Sequence, residues 1–514
     1  MKKTLSKQLS WLVPIVAAVA FAVLAWWRLV VENSDYLYEA HDQSFWQPGG
    51  QYWREMLQRP GGAFSWAGQF LTQFLHVPAV GASMLIALWL SIYGLTLAAW
   101  RLRWQWCWVA LAVPVVLLWS VTSLGYAIYV SKVPDWCFTP TLFVLFISVL
   151  MLVGRWFPTK IRVVWSVAML IGLVVCGQRF MSDAEVPRPG RMPMHGALSD
   201  ANFHAEIRMA RAAEAADWNG VLAEMRRTKE PPTRLMWMLK NIALLNEGRL
   251  LEDWLNYGVE TQLPAFNDSV SVPMVESHGP LVYFLHGSIQ FCYRWNMENM
   301  VEYGPSVQRL RLMTRCAIVR REWDLAEKYI NLLSRTLFWH EWAESQRRLL
   351  HHPELLADAP EYRLAVRLSE PQNDILDGDD GKLELYLINA LSHVKPHRCP
   401  ELATMSLMLA MQSQVISNFW NQFYLYVHVV PRAEMPRTVQ EAAYLYKCLE
   451  PQSAPQAQLP FDPAVIQSYQ AFQERSRRFI AQGYSDEGMA KAMRREFGQT
   501  FYWFYFFCRN TKTY

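Results

Sequence analysis

Charge is scarce in this chain. Only 18% of its 514 residues are Asp, Glu, Lys or Arg, against 52% apolar ones, and the net charge is +4. No basic block is present, which excludes a nucleic-acid partner. The eight cysteines include no C-x-x-C pair, so neither a zinc ribbon nor a thioredoxin-like site is indicated. Five of them, Cys292, Cys316, Cys399, Cys448 and Cys508, lie in the second half and read as buried thiols on helices. The nucleophile elbow G-x-S-x-G, the phosphate loop, the dinucleotide glycine pattern and any triad order are all missing. No reaction class is legible, and no cofactor is expected.

Two stretches imitate metal motifs and fail on spacing. In "HEWAES" the partner of His340 four residues on is Glu344 rather than histidine, so the zinc pattern is incomplete. In "DILDGDDG", Asp374 to Gly381, a calcium loop counted from Asp377 puts Gly381 fifth and Lys382 sixth, where an oxygen ligand and a glycine are needed. No metal site is expected.

Long apolar runs are what the chain does have. Charge-free stretches cover Gln8 to Trp27, Val77 to Trp100, Trp104 to Val130, Trp136 to Gly154 and the shorter Val163 to Gly177. A helix needs about 20 apolar residues to span a bilayer. The fifth run falls short, but Arg162 and Arg179 can snorkel from its ends. The first run has no small-residue cleavage site after "WWRLVVEN" and reads as an uncleaved anchor. The 24 tryptophans suit surfaces that are wet on one edge and dry on the other.

Basic residues orient the spans. Lys2, Lys3 and Lys7, then Arg101 and Arg103, then Arg155, Lys160 and Arg162 fall on one side of a five-span chain. Positive charge prefers the cytoplasm. The expectation is a multi-pass protein of a bacterial inner membrane, with a cytoplasmic amino terminus and a periplasmic carboxyl-terminal domain.

The expected fold is all-α. Residues 1–180 form a transmembrane helical domain with an outward interfacial loop at 31–78, and proline-rich 181–198 is a linker. Residues 199–450 form an irregular helical-repeat domain, and 451–514 a proline-rich connector with a terminal helical segment. Ser199 and Asp200 look like a helix cap ahead of Phe203, Ile207, Ala210 and Ala213 at helical spacing. Leu235, Leu239, Ile242 and Leu245 make another stripe, ending near Gly248. "SVQRLRLMTRCAIVRREWDLAEKYINLLSRTLF" predicts a hairpin turning at Arg320 to Trp323, and its second half looks like a tetratricopeptide unit. Further helices are predicted over Lys382 to Val394 and Glu401 to His428. "FYWFYFFC" reads as a terminal helix plugging the core.

Two constellations are candidate sites. In the first outer loop, Asp35, Glu39, Asp42, Arg54, Gln69 and Gln73 can form a polar cavity at headgroup depth. There Arg59-Pro60-Gly61-Gly62 stops one helix, and Phe64, Leu71, Phe74 and Leu75 stripe an interfacial one. In the second half, Glu276, His278, His286 and Arg294 can line a cleft.

"PGGAFSWAGQFLTQFLHVPAVGA" and "CAIVRREWDLAEKYINLLSRTLFWHEWA" resemble an uncharacterised family of bacterial multi-pass membrane proteins with a tetratricopeptide-like carboxyl half. The resemblance implies a membrane location, membrane lipid as a partner and no established activity, so no catalytic residue is carried over. The expected function is a membrane-anchored scaffold or protein/peptide-interaction module of the bacterial envelope. The alternative is a polytopic glycosyltransferase-like enzyme acting on lipid-linked or envelope glycans. That reading rests on layout alone, the acidic residues Asp35, Glu39 and Asp42 beside interfacial helices.

Overall fold

The computed structural model describes residues 2–129, 135–183, 202–228, 232–255, 268–369, 399–430, 435–455 and 459–508. Every regular element among them is helical. The chain packs into two compact units, one of residues 1–207 with 295–351 and the other of 208–294 with 352–514. The expected domain bounds followed chain order; packing instead groups the segment 295–351 with the apolar helices.

The first unit begins with α1 (Lys2–Trp26), continued by wide π-helical turns to Glu32. Three short helices follow, α2 (Ser34–Asp42), α3 (Gly50–Leu57) and α4 (Gly62–Thr72). The bundle is completed by α5 (Pro78–Trp100), α6 (Ala112–Thr122), α7 (Phe138–Val153) and α8 (Thr159–Asp183). Five segments are long and apolar enough to cross a bilayer: Leu12–Glu32, Pro78–Trp100, Trp104–Thr122, Phe138–Trp156 and Thr159–Gly177. The third crossing stops at Thr122, short of the predicted Val130. The chain then turns through Gly125–Ile128, with Gly125 in the left-handed region.

Helix α5 sits at the centre, against α1, α6 and α7. Trp89, fully buried, donates its indole N–H to Thr141 at 3.0 Å and meets Phe21 edge-on. Trp165 on α8 donates to the Leu150 carbonyl at 2.9 Å. Outward, Val19, Val23, Val116, Trp119, Val164, Ile171 and Val175 are all exposed. Only 6% of the fifth crossing is buried. Apolar surface of this extent is covered by hydrocarbon, not water.

The unit has two chemically different ends. At one, Arg101 donates to the Arg155 carbonyl at 3.1 Å, close to Arg103, Lys160 and Arg162 in sequence. At the other, the loops after the first, third and fifth crossings meet. Thr72 donates to Asp135 at 2.6 Å, Tyr126 to Glu206, and His204 pairs with Asp35 at 2.8 Å. Segments in contact lie on one side of a membrane, so an even number of crossings separates each pair. The contact of His204 with Asp35 fits a chain in which the fifth apolar helix crosses as well.

The second unit is a set of helices packed largely on their chain neighbours. Trp218–Arg227 packs on Arg234–Asn246, and that helix on Asp268–Leu285. The Phe203 stripe is buried as its spacing predicted, while the Ser199–Asp200 cap lies outside the described residues. Helix Arg234–Asn246 ends at left-handed Gly248. The helix expected over Glu401 to His428 is two, Pro400–Ser413 and Ile416–Val429, split by Gln414 at φ 57°. The one predicted over Lys382 to Val394 lies outside the described residues, as does "DILDGDDG". In the terminal helix Phe501–Phe507 the first four side chains are buried, and the Phe501 N–H donates to buried Glu441 at 2.8 Å.

Candidate functional site

Helix α2 is short and polar, yet Tyr36 through Asp42 are all buried. Buried charge needs partners, and each carboxylate has them. Asp35 takes His204. Glu39 accepts from Gln43 at 3.0 Å and Gln308 at 3.2 Å. Asp42 is shared between His41 at 2.9 Å and Arg311 at 3.3 Å. The Arg311 guanidinium lies 4.0 Å from the Trp339 ring centroid and 5.4 Å from that of Trp342. The segment carrying it, helices Val307–Val319, Trp323–Ser334 and His340–His351, is thereby fastened to the first loop. A backbone bond from Val307 N–H to Ser44 carbonyl, 3.1 Å, reinforces it.

Helices α3 and α4 fold back on each other through left-handed Gly61. Gly62 is required next, because a β-carbon there would sit 1.7 Å from the Met56 carbonyl oxygen. On α4 and the 3-10 turn Gln73–His76 that follows it, the polar positions Ser65, Gln69, Thr72 and Gln73 turn inward, while Phe64, Phe70, Leu71 and Phe74 stay half-exposed. That is the polarity of a water-soluble amphipathic helix inverted. Gly68 lets α4 approach α7; a β-carbon would lie 2.2 Å from the Thr139 hydroxyl.

Asp135 makes that approach polar. Its oxygens accept from the backbone N–H groups of Cys137, Phe138 and Thr139 at 2.9, 3.0 and 2.6 Å and from the Thr72 hydroxyl. It caps α7, where free N–H groups and the helix dipole favour an anion.

Between these walls lies a cavity of about 180 Å³. From α2 it is lined by Tyr36, Ala40 and Gln43; from α3, α4 and their turn by Tyr52, Arg59 and Gln69, with Glu55 at the exposed rim. Asp135, Trp136 and Cys137 form a third wall, and Tyr303 to Pro305 with Arg309 the fourth. Arg309 donates to the Gly304 carbonyl at 2.9 Å and the Tyr129 carbonyl at 3.0 Å. The Tyr52 hydroxyl donates to Gln69 Oε1 at 2.5 Å, and burial raises its pKa to about 12. Burial also raises Tyr36 and Cys137 well above their ordinary values, so both stay protonated at neutral pH. The Tyr36 hydroxyl is buried and has no hydrogen-bond partner among the described residues.

A sequence model of a family of unknown function, DUF6057, matches residues 7–181 and 125–509. The chain belongs to this family. No curated protein and no solved structure matches the chain.

For this DUF6057 member the six predicted loop residues divide. Gln69 lines the cavity. Asp35, Glu39 and Asp42 are bound up in the contacts described. Gln73 is fully buried, 3.2 Å from the Ser44 hydroxyl, and Arg54 is exposed on α3, away from the lining. In the second constellation the Glu276 side chain lies outside the described residues. His278 and His286 are buried, and burial pushes His286 down to about 4, leaving it neutral. Arg294 is exposed, 5.7 Å from the Phe291 ring centroid. Glu344 pairs with Arg347, and His340 with the Ser334 carbonyl at 3.1 Å.

Sequence reasoning missed Asp135, Trp136, Tyr36, Tyr52 and Arg309. Asp135 had a signal, an acid just ahead of an apolar run. The arginines of "QRLRLMTR" had none, because that helix is buried on all its faces and shows no amphipathic stripe.

Proposed function

We propose that the protein is a membrane-anchored binding protein of a bacterial inner membrane, whose cavity takes the polar head of an amphiphile in the adjoining leaflet. Tyr36 lines the cavity, and its buried hydroxyl has no hydrogen-bond partner among the described residues; that carries this reading. A buried hydroxyl without a bond costs about 1–3 kcal/mol, which a ligand bond offsets. The inverted polarity of α4 supports placement at headgroup depth. Arg101, Arg103, Arg155, Lys160 and Arg162 at the opposite end support a cytoplasmic amino terminus and a periplasmic cavity.

The helical half, read as tetratricopeptide-like, is an interaction module for a protein or peptide. Exposed Tyr424 and Val427 on helix Ile416–Val429 favour this second reading. The most repeat-like hairpin, Val307 to Ser334, is not its docking face, because its arginines are engaged inward, Arg311 with Asp42 of the first loop and Arg309 with the Tyr129 carbonyl. An enzyme acting on glycans is less well supported. Asp35, Glu39 and Asp42 are engaged, and both Asp135 oxygens accept several bonds, which leaves neither free to face a substrate.

Wild type, Tyr36→Phe and Gln69→Trp, each extracted in native-lipid polymer discs, test the binding reading by mass spectrometry of what co-purifies. The expected result is an amphiphile carried by wild type and lost from both variants, with Tyr36→Phe melting no lower than wild type. Identical cargo in all three contradicts it.

A further inference from the structure

We infer that the head group held in this cavity is a neutral, hexose-type sugar unit. The inference rests on the binding reading above and names its ligand class. The charged side chains of the lining balance, Arg59 and Arg309 against Glu55 and Asp135. The two inner ones are engaged with protein, Asp135 with the α7 amino terminus and Arg309 with two carbonyls. A phosphate group, including that of a zwitterionic lipid head, is met by a surplus of Arg or Lys donors. The cavity offers no such surplus.

What it offers is neutral and two-sided. Gln69 Oε1 takes the Tyr52 hydroxyl, which leaves its amide nitrogen as a donor. Gln43 Nε2 bonds Glu39 and Gln308, which leaves its amide oxygen as an acceptor. The Tyr36 hydroxyl does either. A donor, an acceptor and a group that is both match adjacent hydroxyls, each of which donates and accepts. Tyr36, Tyr52, Trp136 and Tyr303 supply flat faces with an apolar body and a polar tip. Such faces suit the C–H surface of a pyranose ring. The sugar either caps a membrane-borne glycan or belongs to a soluble saccharide, and the same site serves both.

The test uses the full chain in phospholipid nanodiscs and ligand-observed saturation-transfer NMR. The probes are glucose, galactose, mannose and N-acetylglucosamine, their octyl glycosides, and inorganic phosphate and phosphocholine for contrast. At least one sugar or glycoside is expected to bind saturably. Gln69→Ala and Trp136→Ala should each weaken it about tenfold or more, roughly one lost directional contact, while Arg54→Ala leaves it unchanged. A glycoside binding at least about tenfold tighter than its free sugar identifies a membrane-borne source; equal affinities identify a soluble one. Tyr36→Phe, which keeps the core shape, provides a weakened variant should Trp136→Ala fail to fold. Absence of sugar and glycoside binding, or binding that ignores all the lining variants, overturns the inference. Gln69-dependent binding of phosphate or phosphocholine alone also overturns the sugar while leaving the cavity a head-group site. No probe binding together with no co-purifying amphiphile removes both.

Discussion

Arg311→Leu is expected to cost the first unit about 3–5 kcal/mol, the usual penalty for leaving one partner of a buried ion pair alone. Both side chains are sealed, at 8% and 5% exposure, and Asp42 has His41 as its other partner among the described residues. The lost cation also vacates the faces of Trp339 and Trp342. Asp42→Asn in the same chain removes the stranded charge and should recover part of the loss. A double-mutant cycle by denaturant unfolding in detergent measures it. Additive costs for the two single changes would mean that the pair does not hold the Val307–Val319 segment to the first loop.

Asp135→Ala is the next largest, at about 4 kcal/mol: about 2 for a lost helix cap and about 2 for the charge-assisted bond from Thr72. Three N–H groups at the start of α7 lose their acceptor at once. Asp135→Asn keeps one acceptor oxygen and should lose less than half as much. Hydrogen exchange locates the effect: the amides of Cys137, Phe138 and Thr139 should lose protection in Asp135→Ala before those of α5. Protection unchanged at α7 would mean that the cap is not what fixes the cavity wall.

The apolar spans were readable because a bilayer imposes a length and a composition on any helix that crosses it. Their ends were less so. Ser123 to Tyr129 continue the apolar text of the third run, yet they turn back and are largely buried against the loops, and only tertiary contacts such as Tyr126 with Glu206 reveal it. Gln69 was found because an amide on an interfacial helix has no reason to be there unless it faces protein. Tyr36 and Tyr52 looked like ordinary amphipathic aromatics, since nothing local shows whether a hydroxyl will find a partner. Asp35, Glu39 and Asp42 were recognised as unusual for the right physical reason, that acids beside a membrane helix need partners. Their partners His204, Gln308 and Arg311 lie 169 to 269 residues away in the chain. The grouping of residues 295–351 with the bundle was hidden for the same reason.

The account rests on five crossings that bring the first loop, the Asp135 turn and the Val307 segment to one side of the membrane. Single cysteines at Gln51, Arg103 and Glu341 in a cysteine-free background, labelled with a membrane-impermeant maleimide in sealed, oriented vesicles, test this directly. Residues 51 and 341 are predicted to label from the same side and residue 103 only from the other. Labelling of 341 together with 103, and apart from 51, would contradict the account.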